Sequence, residues 1–179
     1  GGWKSRAAFL TPIAKSFGTE TGCRVAELGM QVHGGMGFIE ESGAAQYYRD
    51  VRVTTIYEGT NGIQAMDLVG RKLMDGGEAA YSLVDDIQKT VKTCPEDFSS
   101  IANEVMLASE ALRETIKWMC SQKNINDRFA GAIPFLNAFA RVLGGHFHLK
   151  SAIQEGHLGQ RTKLARFYIF NLMPEYMGL

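Results

Sequence analysis

Apolar residues in this chain recur at the spacing of amphipathic helices, and pairs of glycines interrupt the repeats. Thr11-Pro12 fits a helix start, with threonine as the N-cap and proline at the first helical position. Paired glycines favour a non-helical break, so this helix should end at Gly34-Gly35. Its apolar stripe consists of Ile13, Phe17, Val25, Leu28 and Val32. Such a pattern predicts an all-α protein.

The segment between the first two glycine pairs carries weaker helical signals. Ser42 could cap a short helix that runs to about Arg49. Residues 51–57 are β-branched and aromatic, which favours a strand, but no partner strand is apparent and an extended connector is predicted. A helix then begins near Thr60 and should end at Gly76-Gly77. Its predicted apolar face contains Ile63, Met66, Val69 and Leu73.

Residues 77–179 have the pattern of an antiparallel bundle of four helices joined by short loops. Pro95 should stop the first of them, and Pro134 marks a kink or a start in the third. The four apolar stripes are Leu83, Ile87 and Val91; Ile101, Val105, Ala108, Leu112, Ile116 and Met119; Phe129, Ile133, Leu136, Phe139 and Leu143; and Leu164, Tyr168 and Leu172. The change of pattern predicts a domain boundary near Gly76-Gly77, between a partial helical domain of residues 1–76 and a helical bundle of residues 77–179.

Composition narrows the functions open to the chain. Its 179 residues carry 19 basic and 19 acidic side chains, a balance that gives no electrostatic case for a nucleic-acid partner. The three cysteines lie far apart without metal-ligand spacing, which favours reduced thiols in an intracellular protein. His146 and His148 are two residues apart and point to different faces of a helix, so no metal site is predicted. The longest apolar run, residues 129–140, is too short to cross a bilayer.

Two short motifs have the residue types of a binding or catalytic site. Residues 31–38 end a helix in a glycine cluster, where another molecule could approach the main chain; a helix C-cap followed by a turn is the alternative. Residues 57–60, Tyr-Glu-Gly-Thr, place a carboxylate before a helix N-terminus, whose free amides attract anions such as phosphate. Glu58 could equally be a solvated surface acid, and composition leaves both interpretations open.

Taken together and at this separation, the motifs resemble the acyl-CoA dehydrogenase family. Its members carry a Gln-x-x-Gly-Gly-x-Gly-Phe segment, an Arg-Asp pair and a Tyr-Glu-Gly-Thr box, which correspond here to residues 31–38, Arg49-Asp50 and residues 57–60. The resemblance covers about residues 5–74. The surrounding sequence is most similar to the branch that contains 3-methylmercaptopropionyl-CoA dehydrogenase, which has an extra helical segment at its C-terminus. Residues 77–179 match that segment by position and helical character.

The resemblance implies a role for each motif residue. Glu58 would remove the α-proton of an acyl-CoA thioester while the β-hydrogen leaves as hydride to FAD, and the Glu58 amide would bind the thioester oxygen. Tyr57 and Gly59 would complete the substrate site. The implied flavin contacts are Gln31, Gly34, Gly35, Thr60, Asn61 and Gly62, the first three touching the adenine side of a flavin held mainly by a neighbouring subunit. Many family members have Gln in place of Gly62, so a side-chain contact there would be lost. Arg49-Asp50 is expected to form a structural ion pair or cap.

The family's N-terminal helical domain and middle β-domain would precede residue 1, so the resemblance implies the C-terminal portion of an enzyme, inactive by itself. The implied partners of the complete enzyme are acyl-CoA, an electron-transfer flavoprotein as electron acceptor, and further copies in a homodimer or homotetramer. The expected location is a bacterial cytoplasm, with the mitochondrial matrix as the alternative. Two other functions stay open, namely an acyl-CoA oxidase-like flavoprotein and a non-catalytic helical assembly module.

Overall fold

A computed structural model of the chain describes residues 2–179, and these residues contain α-helices and no strand. The α-helices are α1 (Gly2–Val32), α2 (Gly35–Phe38), α3 (Ala44–Arg52), α4 (Asn61–Gly70), α5 (Glu78–Lys92), α6 (Ser99–Ser121), α7 (Ile125–Ala130), α8 (Ala132–Glu155) and α9 (Gln160–Phe167). Shorter helical turns lie at Glu40–Ser42, Val53–Thr55, Glu96–Phe98, Tyr168–Leu172 and Met173–Gly178. The predicted all-α fold is confirmed. No helix in this part of the chain is both long enough and apolar enough to cross a membrane.

One continuous hydrophobic core joins α1, α4, α5, α6, α8 and the C-terminal turns. Phe9 of α1 packs edge-on against Phe139 of α8 with ring centroids 5.0 Å apart, and both side chains are fully buried. The predicted boundary falls at a real break between helices, where Gly76 and Gly77 have φ angles of 76° and 85° that favour glycine. Side chains from both sides of this break share the core, and the division into two domains stays a prediction.

Helix α1 begins well before Thr11, so the predicted helix start is wrong. Pro12 lies inside the helix, where it removes one backbone hydrogen bond. Tertiary contacts hold the turns that precede it: Phe9 is buried in the core, and Arg6 forms an ion pair with Asp86 of α5 at 2.5 Å. The Thr11 hydroxyl donates a hydrogen bond to a carbonyl oxygen one turn earlier instead of capping the helix.

The extended connector predicted for residues 51–57 is also wrong. Helix α3 continues through Arg52 and a 3-10 turn follows over Val53–Thr55, so most of the β-branched run is helical. β-branched residues oppose a helix only weakly, and packing against α1 outweighs that preference. At this contact a Cβ placed on Gly22 of α1 would lie 3.1 Å from a methyl group of Val51, which shows how closely the two helices approach.

The short helix predicted from Ser42 is α3, displaced toward the C-terminus. Gly43, with φ of 75°, precedes it, and the Ser42 hydroxyl accepts a hydrogen bond from the Ala44 amide at 3.4 Å. Arg49 forms an exposed ion pair with Glu40 at 3.4 Å and so fixes the preceding turn to α3.

The helix predicted from Thr60 is α4, and Thr60 is its N-cap. The Thr60 hydroxyl accepts a hydrogen bond from the Ile63 amide at 3.4 Å. Helix α4 ends at Gly70, earlier than the predicted stop at Gly76-Gly77. Its buried face also differs from the predicted stripe, because Ile63 and Met66 are 55% and 38% exposed. The buried residues of α4 are Ala65, Leu68 and Val69.

The helices predicted after Gly77 are present, with differences in the third and the fourth. Phe129 belongs to the separate helix α7, and Ile133 of α8 is 56% exposed, contrary to their predicted places in one apolar stripe. Helix α5 ends before Pro95, and Pro134 lies in the first turn of α8, where proline is tolerated. In the last helical segment Leu164 is 58% exposed, contrary to its predicted place in the core. A π-helical turn over Tyr168–Leu172 follows α9 and sets a different side toward α8. The buried side chains of this segment are Ala165, Ile169 and Met173.

Candidate functional site

Residues 57–60 form the turn that leads into α4. Glu58 and Gly59 both have left-handed backbone, with φ of 54° and 86°. Glu58 is the one non-glycine residue with positive φ among residues 2–179. Such a conformation costs roughly 1 to 3 kcal/mol, persists only where surrounding contacts enforce it, and is concentrated at functional sites. The turn leaves the side chains of Tyr57 and Glu58 exposed.

Side chains from two helices hold the main-chain oxygens of this turn. Gln64 of α4 donates a hydrogen bond from Nε2 to the Glu58 carbonyl oxygen at 2.9 Å. Lys15 of α1 donates from Nζ to the Gly59 carbonyl oxygen at 2.8 Å and to Asn61 Oδ1 at 2.7 Å. The two left-handed residues are therefore anchored from both sides.

Asn61 ties the start of α4 to α1. Its Nδ2 atom donates hydrogen bonds to Thr19 Oγ1 at 3.1 Å and to Glu20 Oε1 at 2.9 Å, while its Oδ1 atom accepts one from Lys15. Both ends of the Asn61 amide are thus engaged on α1. A cofactor contact at Asn61, as predicted, would have to use its main chain.

Sequence patterns alone do not single out Lys15 and Thr19 as parts of this site. The available signal is their four-residue spacing on α1, which places two polar side chains on one face beside the apolar stripe. That spacing is common on exposed helices, so it gives no reason to connect either residue with residues 57–61.

Gln31 lies in the last turn of α1, Gly34 in the turn that follows it, and Gly35 at the start of α2. The turn at residues 57–61 contacts α1 around residues 15–20, which lie about 16–24 Å from Gln31 along the helix axis at 1.5 Å per residue. Gly34 has φ of 59°, and a Cβ on either glycine would meet no atom within 4 Å. This open corner borders a depression of about 490 Å³ lined by Glu27, Met30, Gln31, Gly34, Gly35, Phe38 and Tyr48.

Within residues 2–179, no three His, Cys, Asp or Glu side chains converge as ligands of a metal ion would. His146 is buried between helices, and His157 lies 3.6 Å from an Asp97 carboxylate oxygen. Cys23, Cys94 and Cys120 are free thiols, and burial raises the pKa of Cys94 and Cys120.

Alanine in place of Gly59 should destabilise the chain by about 1–2 kcal/mol, because φ of 86° is unfavourable for any side chain. The new Cβ would also lie 3.3 Å from Gln64 Nε2 and disturb its bond to Glu58. Gly62→Ala is the matched control, because a Cβ there meets nothing within 4 Å and alanine favours a helix by up to about 1 kcal/mol. Denaturant unfolding measures both changes, and equal stabilities of the two variants would contradict the left-handed assignment.

Two protein-family models match the chain. One, described as acyl-CoA dehydrogenase, C-terminal domain, matches residues 4–74. The other, described as acetyl-CoA dehydrogenase C-terminal like, matches residues 83–179. The first therefore includes the 57–60 turn, and the second covers most of the helices that follow Gly77.

Curated relatives are named as dehydrogenases of acyl-CoA compounds. 3-Methylmercaptopropionyl-CoA dehydrogenase of Ruegeria pomeroyi is 42% identical over 139 residues, which cover 74% of this chain and 24% of that protein. A butyryl-CoA dehydrogenase of Syntrophomonas wolfei is 29% identical over 187 positions, covering 93% of this chain and 30% of that protein. The mitochondrial short-chain specific acyl-CoA dehydrogenase of Rattus norvegicus is 41% identical over 61 residues, or 34% of this chain and 15% of that protein. The chain thus spans less than a third of the length of each of these relatives.

Proposed function

This chain belongs to the acyl-CoA dehydrogenase family, and from that membership we propose that it forms the C-terminal part of a flavin-dependent acyl-CoA dehydrogenase. In the proposed reaction Glu58 removes the α-proton of an acyl-CoA thioester. Bound FAD supplies the acceptor for the β-hydrogen, which leaves as hydride. The observation that carries the proposal is the left-handed backbone of Glu58, which leaves its carboxylate and its amide free at one exposed turn.

The hydrogen bonds at this turn leave the reactive groups of Glu58 unengaged. Gln64 and Lys15 bind the main-chain oxygens of Glu58 and Gly59, not the Glu58 carboxylate. The Tyr57 amide donates to the Val53 carbonyl oxygen at 3.1 Å, whereas the Glu58 amide donates to no main-chain oxygen within residues 2–179. A free carboxylate can act as a general base, and a fixed free N–H can stabilise the developing charge on a thioester oxygen. Both groups would come from one residue.

The residues proposed for FAD fit an extended dinucleotide. Thr60 and Gly62 lie at the N-terminus of α4, where free main-chain amides favour a phosphate or another anion. Gln31, Gly34 and Gly35 form an open, side-chain-poor corner about 16–24 Å away along α1. That separation exceeds the size of a flavin ring, so the two groups would contact opposite ends of one FAD or two FAD molecules in an oligomer.

Exposed apolar side chains support assembly with further protein. Apolar patches beyond a few hundred Å² on a protein surface commonly mark interaction sites. We propose that the exposed apolar side chains of residues 1–76 are covered by the other domains of the complete enzyme or by a second copy, in a homodimer or homotetramer. Large apolar side chains of residues 1–76 that are at least half exposed include Val25, Val32, Met36, Phe38, Tyr47, Val53, Ile56 and Ile63.

Reduction of the flavin by acyl-CoA, followed in the complete enzyme without oxygen, tests the proposed activity. Loss of flavin absorbance on mixing would support it, and an unchanged spectrum would contradict it. Re-oxidation by an electron-transfer flavoprotein, against re-oxidation by oxygen, separates a dehydrogenase from an oxidase. The proposed location is a bacterial cytoplasm; two of the relatives above come from bacteria, and the third is a mitochondrial protein.

The isolated 179-residue chain should purify without flavin. Its proposed flavin contacts lie on one open turn and one open corner, and neither encloses a ligand. A pocket that binds a cofactor tightly buries most of the cofactor's surface. The visible absorption spectrum of the purified chain checks this, and a stoichiometric flavin spectrum would show that the main binding surface lies within this chain.

A further inference from the structure

We propose that Lys15 is a positioning residue for Glu58, an inference that rests on the function proposed above. Lys15 is half-buried on α1, and its ammonium group donates to two neutral oxygens, those of Gly59 and of the Asn61 side chain. No carboxylate within residues 2–179 lies within ion-pair distance of it. Hydrogen bonds from a charged donor are stronger than neutral ones, so this ammonium is a firm attachment between α1 and the turn.

The bond to Gly59 fixes the direction of the peptide plane that follows Gly59. Gln64 fixes the preceding plane through the Glu58 carbonyl oxygen at 2.9 Å. With both planes held, Gly59 cannot rotate to an ordinary conformation without breaking one of these bonds, and Glu58 is held at its carbonyl side. Lys15 therefore acts on Glu58 through Gly59 and contacts neither the Glu58 amide nor its carboxylate.

The attachment also fixes the turn relative to the rest of the fold. Lys15 lies two turns from Phe9 on α1, and Phe9 is locked against Phe139 of α8 in the core. Thr19 and Glu20, on the next turn of α1, bind the Asn61 amide. The turn that carries Glu58 is thus attached through α1 to the buried core, which is the kind of support that precise positioning of a catalytic group requires.

The test begins with amide hydrogen exchange on the isolated chain, which needs neither flavin nor substrate. The Tyr57 and Gln64 amides flank the turn and donate at 3.1 and 3.0 Å to the carbonyl oxygens of Val53 and Thr60. In Lys15→Met both should exchange about tenfold faster or more, while amides in the middle of α6 and α8 keep their rates. Lys4→Met removes an exposed lysine from the same helix and should leave both amides unchanged.

Lys15→Arg keeps a charged donor at this position, and we expect it to bring the exchange rates within about threefold of the unmodified chain. If Lys15→Met accelerates exchange throughout the fold, the recovery of the rates at residues 57 and 64 in Lys15→Arg still tests the proposal. Unchanged exchange at residues 57 and 64 in Lys15→Met would overturn the proposal. Equal acceleration in the arginine and methionine variants would also overturn it, since a donor would then be irrelevant.

In the complete enzyme, Lys15→Met should slow flavin reduction at saturating acyl-CoA by about 10- to 100-fold, because the base is displaced but still present. The apparent dissociation constant for acyl-CoA should change by less than about threefold. A change confined to the dissociation constant would overturn the positioning role. Failure of the proposed function can be distinguished from failure of the positioning role. It would appear as an unchanged rate of flavin reduction in Glu58→Gln, and it would not alter the exchange result on the isolated chain.

Discussion

Glu58→Gln in the complete enzyme should slow reduction of the flavin by acyl-CoA by about 10² to 10⁴, the usual contribution of a positioned general base. Glutamine keeps the shape of the side chain but cannot accept the α-proton. The main-chain amide of residue 58 and the bond from Gln64 to its carbonyl oxygen do not depend on the carboxylate. Acyl-CoA should therefore bind with nearly unchanged affinity, and the loss should lie in the chemical step.

Rapid mixing separates the two quantities, because the substrate dependence gives binding and the limiting rate of bleaching gives chemistry. Glu41→Gln serves as the matched control. It makes the same chemical change at another exposed glutamate of the same chain, in the turn before α3. A normal limiting rate in Glu58→Gln would assign proton abstraction to another residue, and equal losses in both variants would point to a general effect of charge.

Local chemistry made much of this fold predictable. The glycine pair Gly34-Gly35 ended α1 where expected, since φ of 59° at Gly34 is unfavourable for other residues, whereas α4 ended at Gly70, before the predicted stop at Gly76-Gly77. Thr60 was recognisable as an N-cap because its hydroxyl can satisfy an amide at the start of α4. Each of these signals depends on a few neighbouring residues, which is the information that a sequence pattern holds.

Tertiary packing determines the helical segments that local sequence patterns did not predict. The turns of α1 before Pro12 are helical because Phe9 enters a core formed largely by residues after Gly77. Residues 51–55 are helical because they pack on α1. In both places packing overruled a local preference: the preference of β-branched residues is well under the energy of a buried side chain, whereas a proline inside a helix costs about 3 kcal/mol, comparable with one buried side chain.

The candidate site likewise combines a motif that the sequence predicts with contacts that it does not predict. The motif at residues 57–60 was visible in the sequence, but the contacts that hold it come from Lys15, which is 44 residues distant from Gly59. Nothing in the spacing of Lys15 and Gly59 encodes that contact. The left-handed backbone of Glu58 was equally hidden, because glutamate has no local preference for it and only the surrounding hydrogen bonds enforce it.

His146 couples the stability of the fold to pH. Its side chain is 5% exposed, and its Nδ1 atom has no hydrogen-bond partner within residues 2–179. The pKa of His146 is lowered from its ordinary 6.5 to about 4, chiefly by burial; the charge of Lys150 on α8 adds to the decrease, Asp86 on α5 opposes it, and Arg6 on α1 makes a smaller contribution to the decrease. The fold therefore holds this imidazole neutral, and protonation would place a charge among three packed helices.

We expect protonation of His146 to cost the chain about 3 kcal/mol of unfolding free energy between pH 7 and pH 4. The imidazole protonates near its ordinary pKa of 6.5 when unfolded but near 4 when folded, so between these values the unfolded chain binds more protons. This stabilisation is complete above pH 6.5 and is lost as the pH falls toward 4. Urea unfolding across that range should show a shallower decline for His146→Gln than for exposed His33→Gln. Identical declines would mean that the carboxylates alone destabilise the fold in acid.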